Sequence, residues 1–213
     1  MMRRLLFVVL LLALLSCEQP PSMPQVSGNG GAIMKDTCDN PDAPINCSFL
    51  NMPSSLKSEL IIAGKDEPGE RLKITGTVYK ADGKSAYPGI LIYAYHTDSK
   101  GLYSKNGTET GAQKWHGHLH GWCKTDSNGN YQIQTIRPAR YPDNSMPAHI
   151  HAAIKKENGE MYWISDFVFQ DDGLVNEKYL SRVKDMIGGT GVLNVQKDET
   201  NTWTGHRDII LTK

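Results

Sequence analysis

From Arg71 onward the apolar and polar positions form a series of short alternating runs cut by turn residues. "RLKITGTVYK" alternates with period two and is rich in β-branched residues, "ADGK" supplies a turn, and "PGILIYAYHTD" reads as a second strand paired with the first. The pattern returns in "HGWCKTD", "SNGN", "YQIQTIRP", where Asn128 and Gly129 offer the positive φ angles of a tight hairpin. It returns again in "AHIHAAIKK", "ENGE", "MYWISDFVF". Short strands at regular spacing predict a mainly β chain folded as an antiparallel β-sandwich. One short helix is predicted in "NEKYLSRVKDMI", where Leu180, Val183 and Ile187 share a face and Gly188 and Gly189 end it. "TWTGHRDIILTK" is left to close a sheet.

The amino terminus breaks this pattern. "MMRRLLFVVLLLALLSC" is a basic start, an apolar run too short to span a bilayer as a mature helix, and a cysteine, which reads as a signal peptide. Its "LLSC" ending resembles the bacterial lipobox. Residues 1–17 are therefore expected to be a lipoprotein signal, with Cys17 the lipidated first residue of a chain held on the bacterial cell envelope. Contact with the membrane is expected through that lipid alone. A Pro, Gly and Ser-rich tether with a cysteine-containing loop is assigned to 18–59, and the folded domain to 60–213. Export changes the reading of the other cysteines, because disulfides persist outside the cytoplasm. Cys38 and Cys47 flank the turn-rich "DNPDAPIN" and are expected to be bridged, leaving Cys123 as a small buried apolar residue on a strand.

Charge narrows the partners. With 213 residues, 23 Lys and Arg against 23 Asp and Glu, and no basic stripe, the chain lacks the electrostatic footprint of a phosphate-backbone binder. Nucleic acid is excluded as a partner on that ground.

The candidate chemistry begins at "MPAHIHAAI". Strand side chains alternate, so His149 and His151 share a face about 7 Å apart along the strand while Ile150 turns into the opposite layer. Imidazole suits zinc, copper, iron and nickel alike, so the pair alone does not choose a metal. Further motifs do: a strand followed by "HTDSKGLY", then "KTDSNGNYQIQTIRPARYP", then "PAHIH". In this order, from about Lys73 to Gln170, they resemble the intradiol ring-cleavage dioxygenases, the family that opens catechols with non-haem iron(III). The resemblance implies a β-sandwich of the intradiol type and four iron ligands, Tyr103, Tyr141, His149 and His151. It also implies the substrates, a small aromatic diol and dioxygen, and a muconate-type diacid as product. Tyr141 is implied to leave the metal and take up a proton when the diol binds.

Two features depart from the family pattern, Met146 and a shorter loop between Tyr141 and His149. Met146 stands before the proline of "PAHIH", where many members carry an arginine that steadies charge on the bound ring. Arg137 and Arg140, just upstream, are the candidates to supply that charge. Asp166 falls near the place of a glutamine that members often set close to the iron. "WHGHLHGW" lies outside the family pattern: on a strand His116, His118 and His120 would share one face, offering a second metal site. That run supports a rival reading as a periplasmic metal-binding or metal-delivery lipoprotein. A third reading is a transthyretin-like binding module that kept the sandwich and lost the chemistry.

Overall fold

The computed structural model describes residues 37–211, so the leader, Cys17 and the tether up to residue 36 lie outside the described residues. The chain forms two six-stranded sheets packed face to face. The first has the order β1 (Glu59–Ile61), β5 (Asn130–Ile136), β2 (Arg71–Tyr79), β11 (Trp203–His206), β10 (Val195–Lys197), with β12 (Ile209–Ile210) also on β2. The second has the order β4 (His120–Lys124), β3 (Leu91–His96), β6 (His149–Lys155), β8 (Phe167–Phe169), β9 (Val192–Leu193), with β7 (Met161–Trp163) also on β6. The central pairs are antiparallel, as the alternation predicts, whereas β1, β9, β11 and β12 each make a parallel pair.

Alternation sets the core. Leu72, Ile74 and Val78 of β2 and Ile133 of β5 meet Ile92 and Ala94 of β3 and Ile150 and Ile154 of β6 between the layers, all at most 1% exposed. Burying each such aliphatic side chain contributes about 1.5–3 kcal/mol before entropy is counted.

Of the three expected strand pairs, only the last forms. β6 and β7 are an antiparallel hairpin, turned by Gly159 at φ 85°. β2 and β3 fall in different sheets, and so do β4 and β5, because both connections cross between layers. The crossings lean on one another at Gly129, whose O accepts from Val78 N–H at 2.8 Å. A Cβ on Gly129 would fall 2.8 Å from Val78 O, so only glycine fits. The predicted helix is shorter than its pattern, α2 running Glu177–Val183; Tyr179 is its most buried residue at 3% exposure, Leu180 and Val183 are half-buried, and Ile187 packs on the core beyond the helix end.

The folded part starts before Leu60. The Cys38–Cys47 disulfide is formed, with Cys47 inside a 3-10 turn (Ile45–Phe49). Phe49 packs edge-on against Tyr93 of β3, and Trp122 Nε1–H donates to Ser48 O at 2.7 Å. This segment covers the outer face of the second sheet with apolar surface a tether would lack. Cys123 is buried and free, its thiol pushed up to about 12 by burial.

Between the layers, Thr135 Oγ1–H donates to His96 Nε2 at 2.6 Å, and His96 Nδ1–H donates to Thr97 O. Burial lowers the His96 imidazole from 6.5 to about 4. The unfolded chain therefore binds more protons than the folded one in that window, so this contribution is complete above about pH 6.5 and shrinks as pH falls toward 4. Protonating His96 at low pH therefore costs the fold up to about 3 kcal/mol relative to the unfolded chain. Urea midpoints of metal-free protein should fall between about pH 7 and about pH 5, and His96→Gln should flatten the dependence; an unchanged slope in the variant would refute the assignment.

Candidate metal centre

Tyr103 arrives on a loop built by a turn that recurs elsewhere in the chain. Asp98 Oδ1 accepts from Lys100 N–H and Leu102 N–H, Asp98 N–H donates to Leu102 O, and Gly101 takes φ 80°. Asp126 does the same for Asn128 and Asn130 with Gly129 at φ 74°, and Asp198 for Thr200 and Thr202 with Asn201 at φ 61°. The D-x-x-G-x-Y pattern is thus a carboxylate-capped turn that launches the aromatic residue in a fixed direction. The first of these turns is pressed against the Tyr141 loop. A Cβ on Gly101 would meet Arg140 O at 1.9 Å, Ala139 N–H donates to Asp98 O, and Thr97 Oγ1–H donates to Ala139 O.

His149 and His151 leave β6 on the outer face, with Ile150 fully buried in the core between them. All four side chains singled out in the sequence converge. The Tyr103 and Tyr141 hydroxyls are 2.8 Å apart, His149 Nε2 and His151 Nε2 3.0 Å, and Tyr103 Oη and His151 Nε2 3.0 Å. Tyr141 Oη lies 3.2 Å from His149 Nε2 and 3.5 Å from His151 Nε2. Donors placed about 2 Å from one ion at angles between octahedral and tetrahedral stand roughly 2.8–3.3 Å apart, so the spacing fits a shared metal.

The other ring nitrogens fix the tautomers. His149 Nδ1–H donates to Pro147 O at 2.7 Å and His151 Nδ1–H to Asp166 Oδ1 at 2.9 Å, leaving both neutral Nε2 atoms as bare lone pairs. His149, His151 and Asp166 form the cluster of potential metal-holding groups among the described residues. With its carboxylate on the Nδ1 side of His151, Asp166 orients that ring. Burial opposes the Asp166 charge, but the hydrogen bond from His151 and nearby positive charge outweigh it and hold the carboxyl below its ordinary value. Burial lowers His149 and raises both phenols, so without a cation the tyrosines are held protonated.

Tyr95, which the sequence reading passed over, is opposite His151 in the β3–β6 register and stacks on its ring at 4.6 Å. On its other side His116 stacks at 3.8 Å while sharing a 2.7 Å hydrogen bond with Tyr93 Oη. The expected row of His116, His118 and His120 does not form. His116 ends helix α1 (Gln113–His116), His118 sits in a loop paired with Glu67 and Ser104 O, and His120 begins β4 with Nδ1–H on Gly117 O. The glycine between the first two, Gly117 at φ 75°, breaks the strand that the alternation implied.

Both upstream arginines are already engaged. Arg137 makes a two-pronged pair with Asp171 and lies between the rings of Phe169 and Trp203, 4.6 Å from each. Arg140 makes a two-pronged pair with Asp172, which also accepts from Ala148 N–H and Leu174 N–H. This second pair ties the residue before Tyr141 to the residue before His149.

A family model described as Dioxygenase matches residues 47–207. The catechol 1,2-dioxygenase of Acinetobacter baylyi is 29% identical over 151 residues, covering 58% of this chain and 48% of its own length. The chain thus spans about half the length of the curated relatives it matches. Among solved structures, the dioxygenase domain of a dioxygenase and carbohydrate-binding fusion from Streptomyces sp. SirexAA-E superposes with a TM-score of 0.54 at 18% identity, over 82% of this chain and 97% of that one. The 3-chlorocatechol 1,2-dioxygenase from Rhodococcus opacus 1CP gives 0.54 at 24% identity, over 71% and 64%. These two share the fold.

Proposed function

Because the chain belongs to the intradiol dioxygenase family, whose model spans residues 47–207, we propose that it opens the ring of a catechol-type aromatic diol with dioxygen to give a muconate-type diacid. The observation that carries this reading is the pair of bare Nε2 atoms 3.0 Å apart, flanked by two tyrosine hydroxyls. Two lone pairs at that distance repel unless a proton or cation lies between them. Phenolates are hard anionic donors that favour iron(III), and neutral imidazoles keep the net charge low enough to admit a catecholate. Tyr103, Tyr141, His149 and His151 would hold the ion. Iron(III) there supplies the Lewis acidity that makes a chelated diol reactive toward dioxygen.

The chain's own residues set the geometry and move the proton. Residues 142–145 are exposed, so Tyr141 has room to swing aside and take up a diol proton at Oη. Tyr103 is fixed behind it by the Asp98 turn and edge-on contact with Tyr141. Arg140, through Asp172, keeps the Tyr141 loop in register with β6.

Iron-loaded protein should be red to burgundy from phenolate-to-iron charge transfer, and an oxygen electrode should record uptake when a panel of catechols is added. Colourless protein that binds zinc or copper stoichiometrically, with no oxygen uptake, would replace this reading by metal delivery. We assign the chain to the bacterial cell envelope, lipid-anchored at Cys17; the Cys38–Cys47 disulfide suits such an oxidising compartment. Cys17→Ala should release the protein from the membrane fraction, and its retention there would refute the anchor.

A further inference from the structure

Arg207, just after β11, is a buried cation that the centre described above does not use. It is 5% exposed, and among the described residues it has no carboxylate within ion-pair distance. Its guanidinium donates from Nη1 to Ser165 O at 3.0 Å, and from Nη2 to Ser165 Oγ at 2.7 Å and to Gly188 O at 3.0 Å. The same group lies 4.2 Å over the Phe167 ring. Ser165 and Phe167 are the two chain neighbours of Asp166.

The backbone around Asp166 is closed from the other side as well. Ser165 N–H donates to Ile187 O and Val168 N–H to Gly191 O. Gly191 approaches so closely that a Cβ there would fall 1.8 Å from Asp166 O. Arg207 is itself anchored to the first sheet: Tyr131 Oη–H donates to its O at 2.7 Å, and its N–H donates to Thr75 O. A Cβ on Gly76 would meet Arg207 O at 1.8 Å, so that approach also requires glycine.

We propose that Arg207 is a positioning residue of the metal centre, holding Asp166 where its carboxylate receives Nδ1–H of His151. The proposal rests on the ligand set assigned above. A guanidinium without a partner carboxylate is expensive to bury, and its Nε is left without a hydrogen-bond partner. An apolar side chain would fill the same space at lower cost, so packing alone does not call for arginine. The arginine instead fixes the segment whose middle residue orients a ligand ring, and such outer partners govern ligand tautomer and donor strength.

The full-length Arg207→Met, Asp166→Asn and double variants test this. In metal-free protein, nitrogen-15 NMR of the histidine rings should show His151 as a single Nδ1–H tautomer in the wild type and as a mixture in both single variants. After ferric loading, both should shift the charge-transfer band in the same direction and weaken iron retention against a chelator by about tenfold or more. The double variant should be no worse than the more damaged single, because the two residues act through one link. If Arg207→Met does not fold, Ser165→Ala, which removes one guanidinium acceptor, should give the same tautomer mixing to a smaller extent. A folded Arg207→Met, or Ser165→Ala in its place, with the wild-type tautomer would overturn the proposal, as would additive losses in the double variant. Wild-type protein that stays colourless with iron would refute the ligand set, and the metal-free tautomers would still decide the role of Arg207.

Discussion

His149→Ala and His151→Ala should each emerge from ferric loading colourless, with iron affinity reduced by more than about 100-fold. The orienting partners of a metal ligand are themselves worth about 10–100-fold, and removing the ligand should cost more. The loss should not come from unfolding, since both rings lie on the outer face of β6 and the core contact between them belongs to Ile150. His118→Gln and His120→Gln are the controls and should keep the colour. His116 is unsuitable as a control because its ring is packed between Tyr93 and Tyr95. Iron lost from the controls but kept by the β6 variants would move the centre elsewhere.

Asp172→Ala should cost about 3 kcal/mol of stability and also bleach much of the ferric colour. Its carboxylate is 7% exposed and accepts from Arg140, Ala148 N–H and Leu174 N–H, so truncation strands a guanidinium and two backbone donors. Because Arg140 precedes Tyr141 and Ala148 precedes His149, the damage should reach the ligands. Arg137→Ala should cost only about 1 kcal/mol and leave colour and turnover intact, since Asp171 is half exposed and the stacking on Phe169 and Trp203 is lost away from the four ligands. Thermal melts, absorbance spectra and oxygen uptake measured together separate the cases. If Arg137→Ala and Arg140→Ala both abolish turnover with stability and colour unchanged, the two guanidinium charges act on the bound ring in place of the arginine that the family carries where this chain has Met146.

Locally encoded features were legible in the sequence. The period-two alternation of "RLKITGTVYK" and of "AHIHAAIKK" gave the strands and the buried faces, because a side chain's face depends only on its neighbours along the strand. The spacing of His149 and His151 gave their shared direction for the same reason. The short turn-rich loop between Cys38 and Cys47 gave the disulfide. The motif order placed Tyr103 and Tyr141 as candidates, and their hydroxyls do meet the histidines.

Tertiary structure decided what depends on long-range partners. Alternation looks the same whether the next strand lies alongside or in the opposite layer, so the crossings from β2 to β3 and from β4 to β5 were read as hairpins. The histidine run of residues 116–120 alternates like a strand, yet Gly117 and the short helix before it scatter the three rings. Arg137 and Arg140 were free charges in the sequence and are paired in the fold, because Asp171 and Asp172 lie more than thirty residues away along the chain. Arg207 gave no signal at all, since its acceptors are on Ser165 and Gly188. The sequence by itself determined which faces are buried and which donor types are available, both being properties of neighbouring residues. Only the fold decided which donors converge and which charges are already neutralised, because those depend on segments that meet solely when the two sheets pack.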